Sequence, residues 1–306
     1  MSEMVQELEE LIQDRISTEM PMQAGYLNGQ SLVHLMIDYR VWRGRFVQPC
    51  RRKVHRSAEM SRSPKVTEHG AALATIEAKL VAGESIEAHL SFRIKEPVGD
   101  VVAPSDSLQK RKDRDLLLAE WGVHHLHLST EPHHRRTGFV QRTDDVLFVV
   151  FRESDAYLLG IYGHPEHDNW AAKEIFAAMV RNWPEAGLVN ESRFATGLSQ
   201  EYLDDDRLEL RNFGVNTALM IDGKVYSPGG LGMSLDGTPL VAVQEVQQMA
   251  WELEQCRKDP AQCLAGVNGI PRSAQWRPFL HLPVPGFVEH AGFLSGTTFV
   301  SVGRLC

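Results

Sequence analysis

The chain has 306 residues, 43% of them hydrophobic and 24% charged, which is the composition of a folded globular protein and excludes a disordered one. At ~150 residues per domain the length allows about two domains. A net charge of -8 excludes a protein that coats nucleic acid without specificity, but not a local basic surface.

The N-terminal stretch MSEMVQELEELIQD is acidic and amphipathic, without the basic start and apolar core of a signal peptide. No apolar run approaches the ~20 residues that cross a bilayer, so the expectation is a cytoplasmic protein with no membrane partner. Cys50, Cys256, Cys263 and Cys306 form no CxxC pair, which argues against a cysteine zinc module. Cys256 and Cys263 are close enough to pair; in a reducing compartment they are read as two free thiols.

Residues 1–95 read as a helical N-terminal region. Val5, Leu8, Ile12 and Ile16 mark one face of an opening helix. Ser31 caps a second helix that buries Leu32, Leu35, Met36 and Tyr39. A third helix runs from about Ala71 to Val81 and stops at Gly83. Between the second and third lies the densest basic cluster, Arg43, Arg45, Arg51, Arg52, Lys53 and Arg56, with Trp42 and Phe46 interleaved. It is either a solvated loop or a surface that contacts phosphates.

Residues 96–190 form the expected middle domain, opening on a polar linker from Glu96 to Lys112 and a short helix that ends at Gly122. Val123–Ser129 alternates as a strand does. His124, Leu126 and Leu128 fall on one face, with Val123, His125 and His127 on the other. Val146–Arg152 and Ala156–Tyr162 form an antiparallel hairpin. Asp168 or Asn169 caps a helix that buries Ile175, Phe176, Met179 and Trp183. Residues 191–306 read as β-rich. Asp222–Gly223 sits between two strand-like runs, a hairpin signal, and a helix covers about Val241 to Arg257. The glycine-rich SPGGLGMSLDGTP lacks the features of a phosphate-binding loop, a dinucleotide fingerprint or a nucleophile elbow, and reads as a turn-rich connection.

Seven of the 13 histidines fall between His124 and His167, with Arg135, Arg136 and Arg142 in the loop between them. Metal-free cleavage of RNA at its own phosphodiester needs a base for the 2′-hydroxyl, a cation on the crowded phosphate and an acid for the leaving oxygen. Histidine takes either proton role near neutral pH, and the planar fork of arginine matches phosphate oxygens. Two other readings stay open. His125, His127 and His164 or His167, with Asp144, Asp145 or Asp168 nearby, could hold a metal in a hydrolase. Alternatively, these are strand histidines bonded to backbone in a protein that only binds a partner.

The strings Val123-His124-His125-Leu126-His127-Leu128, Gln141-Arg142-Thr143-Asp144-Asp145, Leu147-Phe148-Val149-Val150, Ala156-Tyr157-Leu158-Leu159 and Pro165-Glu166-His167 share their order with a known family. Over roughly residues 121–172 the chain resembles the YafO branch of the RelE-superfamily mRNA interferase toxins. The resemblance implies an α+β fold with a RelE-like small antiparallel sheet and packed helices in the middle. It also implies cleavage of mRNA on the ribosome, in growth control or phage defence, with an antitoxin or other protein as partner. On this reading His125 or His127 is the base, Arg142 holds the phosphate, His167 is the acid or a positioning group, and Asp145 orients a histidine. Arg43, Arg45, Arg51, Arg52, Lys53, Arg56, Arg135 and Arg136 are the candidate RNA contacts. No cofactor or metal is called for.

Overall fold

The computed structural model describes residues 2–99, 113–164, 168–259, 277–281, 290–295 and 298–305. The fold is α+β, and the chain forms two compact units that interleave in sequence. One comprises Met1–Gly44, Glu96–Asp100 and Val241–Cys306; the other comprises Arg45–Lys95 and Val101–Leu240. This differs from three consecutive regions. The cause is long-range pairing: residues read as part of a helical N-terminal region supply a strand and a core helix to the sheet of the second unit.

In the first unit, α1 (Ser2–Glu19) buries Val5, Leu8, Ile12 and Ile16 completely, as the heptad-like spacing requires. In α2 (Leu32–Arg43) the Ser31 hydroxyl accepts the His34 N–H at 3.2 Å, and Leu35, Met36 and Tyr39 are buried.

The second unit opens with β1 (Lys53–Arg56), followed by the short helices α3 (Ala58–Arg62) and α4 (Lys65–Glu68) and by α5 (Gly70–Ala82). Gly83 ends α5 at φ 79°, a left-handed cap in which a Cβ would stand 2.9 Å from the Arg51 nitrogen. After α6 (Leu116–Trp121) come β2 (Val123–His127), β3 (Asp145–Phe151) and β4 (Asp155–Gly163). These make a four-stranded sheet in the order β1-β4-β3-β2. The three later strands form the expected antiparallel meander, while β1 joins the edge in parallel, Lys53 opposite Asp155. The sheet is therefore mixed rather than antiparallel throughout.

Both faces of this sheet are covered, which explains the nearly continuous apolar run of β3. Leu126, Leu147, Val149, Ala156 and Leu158 pack with Leu73, Ile76 and Leu80 of α5. Val123, Val146, Phe148, Val150 and Leu159 pack on the other face with Ile175, Phe176 and Met179 of α7 (Lys173–Asn182). Asp168 and Asn169 do not cap α7, whose N-cap is Ala172 without a side-chain bond. Their side chains instead close the preceding turn, Asp168 accepting from Gly163 N–H at 3.1 Å and Asn169 from Ala171 N–H at 2.8 Å.

The second unit continues through β5 (Val189–Glu191), α8 (Asp204–Asn212), β6 (Leu219–Ile221) and β7 (Lys224–Pro228). The β6–β7 hairpin turns on Asp222 at φ 50° and Gly223 at φ 81°, the pair of left-handed residues that a tight hairpin demands. The glycine-rich segment after it is a turn, bridged between Met233 and Pro239. The helix α9 (Leu240–Lys258) leads back to the first unit, where β8 (Arg277–His281), β9 (His290–Ser295) and β10 (Thr298–Arg304) form an antiparallel sheet. The C-terminal region is thus shared between helices and strands. Cys256 is disulfide-bonded, which corrects its reading as a free thiol; Cys50 is a free cysteine. Among the described residues no helix is long and apolar enough to cross a membrane.

Candidate functional site

The basic cluster read from the sequence is not one surface. Arg52 is buried, because its guanidinium donates to the carbonyls of Arg152 and Gln48, each at 2.9 Å. Arg45 is buried against Asp113, with a 2.5 Å bond to the Asp113 carbonyl and a 3.2 Å ion pair. Arg56 forms a two-pronged pair with Glu77 at 2.5 and 2.6 Å. Arg43 belongs to the other unit. Arg51 and Lys53 are exposed. Arg45 and Arg52 are thereby corrected from RNA contacts to structural groups. The guanidiniums of Arg45 and Arg52 are buried away from any phosphate, and Glu77 neutralises that of exposed Arg56.

The histidine strand gathers its partners more tightly. On β2 the rings of His125 and His127 lie 6.4 Å apart on the face that also carries Phe148. His124 turns the other way, edge-on to Phe151 at 5.4 Å. This is the alternation a strand imposes. The half-buried Trp170 forms the floor beside them. Its ring centre is 5.0 Å from His125, 5.1 Å from Phe148 and 6.0 Å from His164. The Trp170 indole N–H donates to the Gly163 carbonyl at 2.8 Å, which fixes the ring at the end of β4. Exposed Arg142 reaches the same place, its guanidinium donating to Nε2 of His164 at 3.0 Å. A histidine that accepts there carries its proton on Nδ1 and is neutral.

Local chemistry separates the two histidines of β2. His127 is buried, its Nδ1 accepts the Thr143 N–H at 3.3 Å, and its carbonyl accepts from His89 Nδ1 at 3.0 Å. Burial, with the charges of His125, Arg142 and His164, pushes its pKa down to about 3. His127 is therefore neutral near pH 7, with its Nδ1 occupied by the Thr143 N–H. Burial also lowers His125, against the pull of Asp115, with Arg142 and Arg93 adding to the depression. The Asp115 carboxylate, at the N-cap of α6, stands 3.4 Å from Nδ1 of His125 without a hydrogen bond between them. His125 thus faces neutral pH as an unprotonated imidazole with a carboxylate behind it.

Asp145 does not orient either of these histidines. It lies on the opposite face, where Lys65 Nζ meets it at 2.7 Å and His69 Nε2 at 3.0 Å. Burial raises its pKa, but the bonds from Lys65 and His69 outweigh that and hold it below the usual carboxylate value. Glu68, His69 and Asp145 are the residues among those described whose ligand atoms lie close enough to hold a metal, and the Lys65 ammonium already neutralises Asp145 there. His125, His127 and His164 do not form such a group. His167 lies outside the described residues.

Two buried arginines of α8 hold the floor in place. Arg211 pairs with buried Glu120 and donates to the Trp170 carbonyl at 2.8 Å. Arg207 donates to the Ala171 carbonyl at 3.1 Å. The first turn of this helix carries Asp204, Asp205 and Asp206, which suit the positive end of its dipole. Sequence reading missed Trp170, Asp115 and Arg211. Only Asp115, an acidic residue just before an apolar helical run, carried a local signal.

The depressed histidines give the protein an acid-sensitive stability. An unfolded imidazole binds a proton near pH 6.5, whereas folded His127 does so near 3 and His124 near 4. Between those values the unfolded state holds more protons, so stability present above pH 6.5 is lost as the pH falls. Urea titrations at pH 7 and 5 should show a lower midpoint at pH 5, and His127→Gln, which keeps an acceptor but cannot ionise, should narrow the gap. An unchanged gap would place the sensitivity elsewhere. No protein-family model, curated protein or solved structure matches the chain.

Proposed function

We propose that the chain is a toxin-like endoribonuclease that cleaves single-stranded mRNA by metal-independent acid–base catalysis. The observation that carries this reading is the convergence of His125, His164 and Arg142 on Trp170. In the proposed reaction His125, unprotonated and backed by Asp115, takes the proton from the ribose 2′-hydroxyl. The 2′-oxygen attacks the adjacent phosphorus, and Arg142 leaves His164 to grip the phosphate oxygens. His164, released by Arg142, takes up a proton from solvent and as the imidazolium gives it to the departing 5′-oxygen, and Trp170 offers a ring on which a splayed base stacks. The products are a 2′,3′-cyclic phosphate and a free 5′-hydroxyl.

The experiment is incubation of the purified chain with mRNA-programmed ribosomes, followed by mapping of the new 5′ ends. Wild type should cut, and His125→Ala should cut far more slowly. The acid limb of the rate profile should fall below pH 6.5, because burial lowers the His125 pKa. An uncut message with a properly folded protein would sink this reading. A second reading, a non-enzymatic protein that binds a partner, is favoured by one observation: His127 is sealed in by backbone bonds and has no free role in proton transfer.

A further inference from the structure

Several arginines in this chain are satisfied. Arg40, Arg45, Arg56, Arg181, Arg207, Arg211 and Arg257 each pair with a carboxylate, and Arg52 with two carbonyls. Four are different. Arg93, Arg135, Arg136 and Arg142 are all exposed, and none forms an ion pair with a carboxylate among the described residues.

These four are also neighbours. The guanidiniums of Arg136 and Arg142 lie 3.6 and 5.6 Å from the centre of the Phe92 ring. Arg93 follows Phe92 directly in the chain, and the Arg135 backbone N–H donates to Nδ1 of His133 at 3.1 Å. The His133 and His134 rings stack at 4.9 Å and 9°, and the Gln141 amide meets His134 Nδ1 at 3.2 Å. The result is a continuous track from Phe92 through Arg136 and the histidine pair to Arg142, His164 and Trp170.

Like charges held together without counter-charges repel one another, in a protein whose net charge is -8. A bound polyanion removes that repulsion. The track is longer than one phosphate group, and planar rings alternate with the charges along it. Single-stranded nucleic acid has that pattern, with phosphates and unstacked bases in turn. A guanidinium over the Phe92 ring gains a cation–π contact that leaves its N–H groups for phosphate oxygens.

We infer that Arg136 on Phe92, with Arg93 and Arg135 beside these two residues in the chain, forms the docking track that feeds a single strand of RNA to Arg142 and His164. The choice of RNA rests on the proposed cleavage reaction; the track itself rests on the uncompensated charge. It also moves the RNA surface away from the Arg43–Arg56 segment, to residues on either side of the histidine strand in sequence.

The test is fluorescence anisotropy of the full chain with a labelled single-stranded 2′-O-methyl oligonucleotide, which binds like RNA but lacks the attacking hydroxyl. Wild type should bind, and the affinity should fall with added salt. Arg93→Ala/Arg136→Ala should bind more weakly. Its slope of log affinity against log salt should be shallower by about 1.4, or ~0.7 for each lost phosphate contact. Arg93→Lys/Arg136→Lys should recover most of the slope, because charge sets that term. Arg51→Ala/Lys53→Ala should behave as wild type. No binding by wild type, or an unchanged slope in the double alanine variant, would overturn the track. Equal competition by polyglutamate would overturn its assignment to RNA. Intact oligonucleotide binding with no cleavage of authentic RNA would count against the catalytic reading alone, and intact cleavage with an unchanged slope against the track alone.

Discussion

Arg142→Ala is expected to slow single-turnover cleavage of ribosome-bound mRNA by two to three orders of magnitude, the usual loss when one preorganised transition-state donor is removed, or about 3–4 kcal/mol. Arg142 is exposed and its guanidinium bonds to His164, so its removal should leave the fold intact. Arg142→Lys keeps the charge but loses the planar fork, and should recover only part of the rate. His164→Ala is the informative companion. If Arg142 is steered by His164, this change should slow cleavage as well, and combining it with Arg142→Ala should add little, since residues acting as a unit are not additive. Equal rates for Arg142→Ala and wild type would remove Arg142 from the mechanism.

The largest expected effect on stability comes from Arg211. Its guanidinium and the Glu120 carboxylate are 6% and 2% exposed, so neither reaches water. Arg211→Met leaves Glu120 buried and unpaired, a loss of about 3–5 kcal/mol in the second unit. Glu120→Leu/Arg211→Met removes both charges and should regain much of that stability. It would still lack the bond to the Trp170 carbonyl. The double variant should therefore fold well in urea titrations and yet cleave slowly, with altered Trp170 emission. A double variant as unstable as Arg211→Met would mean that packing, not the unpaired charge, sets the cost.

Elements whose pattern is local were legible in the sequence. The face of α1, the Ser31 cap, the Gly83 stop, the β3–β4 hairpin and the Asp222–Gly223 turn all follow from residue spacing or turn chemistry. The misreadings are non-local. The segment Lys53–Arg56 is polar and short, and becomes a strand only because β4 lies beside it a hundred residues later. Arg45 and Arg52 looked like a basic surface because no nearby residue announces their partners, Asp113 and Arg152. Asp145 sits one residue from the face-determining alternation of β3, and its neighbours Lys65 and His69 come from α4 and its end.

In the site, strand alternation was enough to place His125 and His127 together. It could not tell them apart. The distinction depends on Thr143 beneath His127 and on Asp115 behind His125, both contributed by other segments. Trp170 likewise reads as an ordinary aromatic between a strand and a helix; only the fold turns its ring toward three separate site residues.

The central claim is that the RNA's own 2′-hydroxyl is the nucleophile and that no metal activates water. It is tested most directly by mapping the cleavage position, then replacing the single nucleotide 5′ to it with its 2′-deoxy form. The proposed chemistry predicts a 2′,3′-cyclic phosphate on the unmodified message and no cut at that position on the modified one. A 3′-hydroxyl product, or undiminished cutting beside the deoxynucleotide, would contradict it.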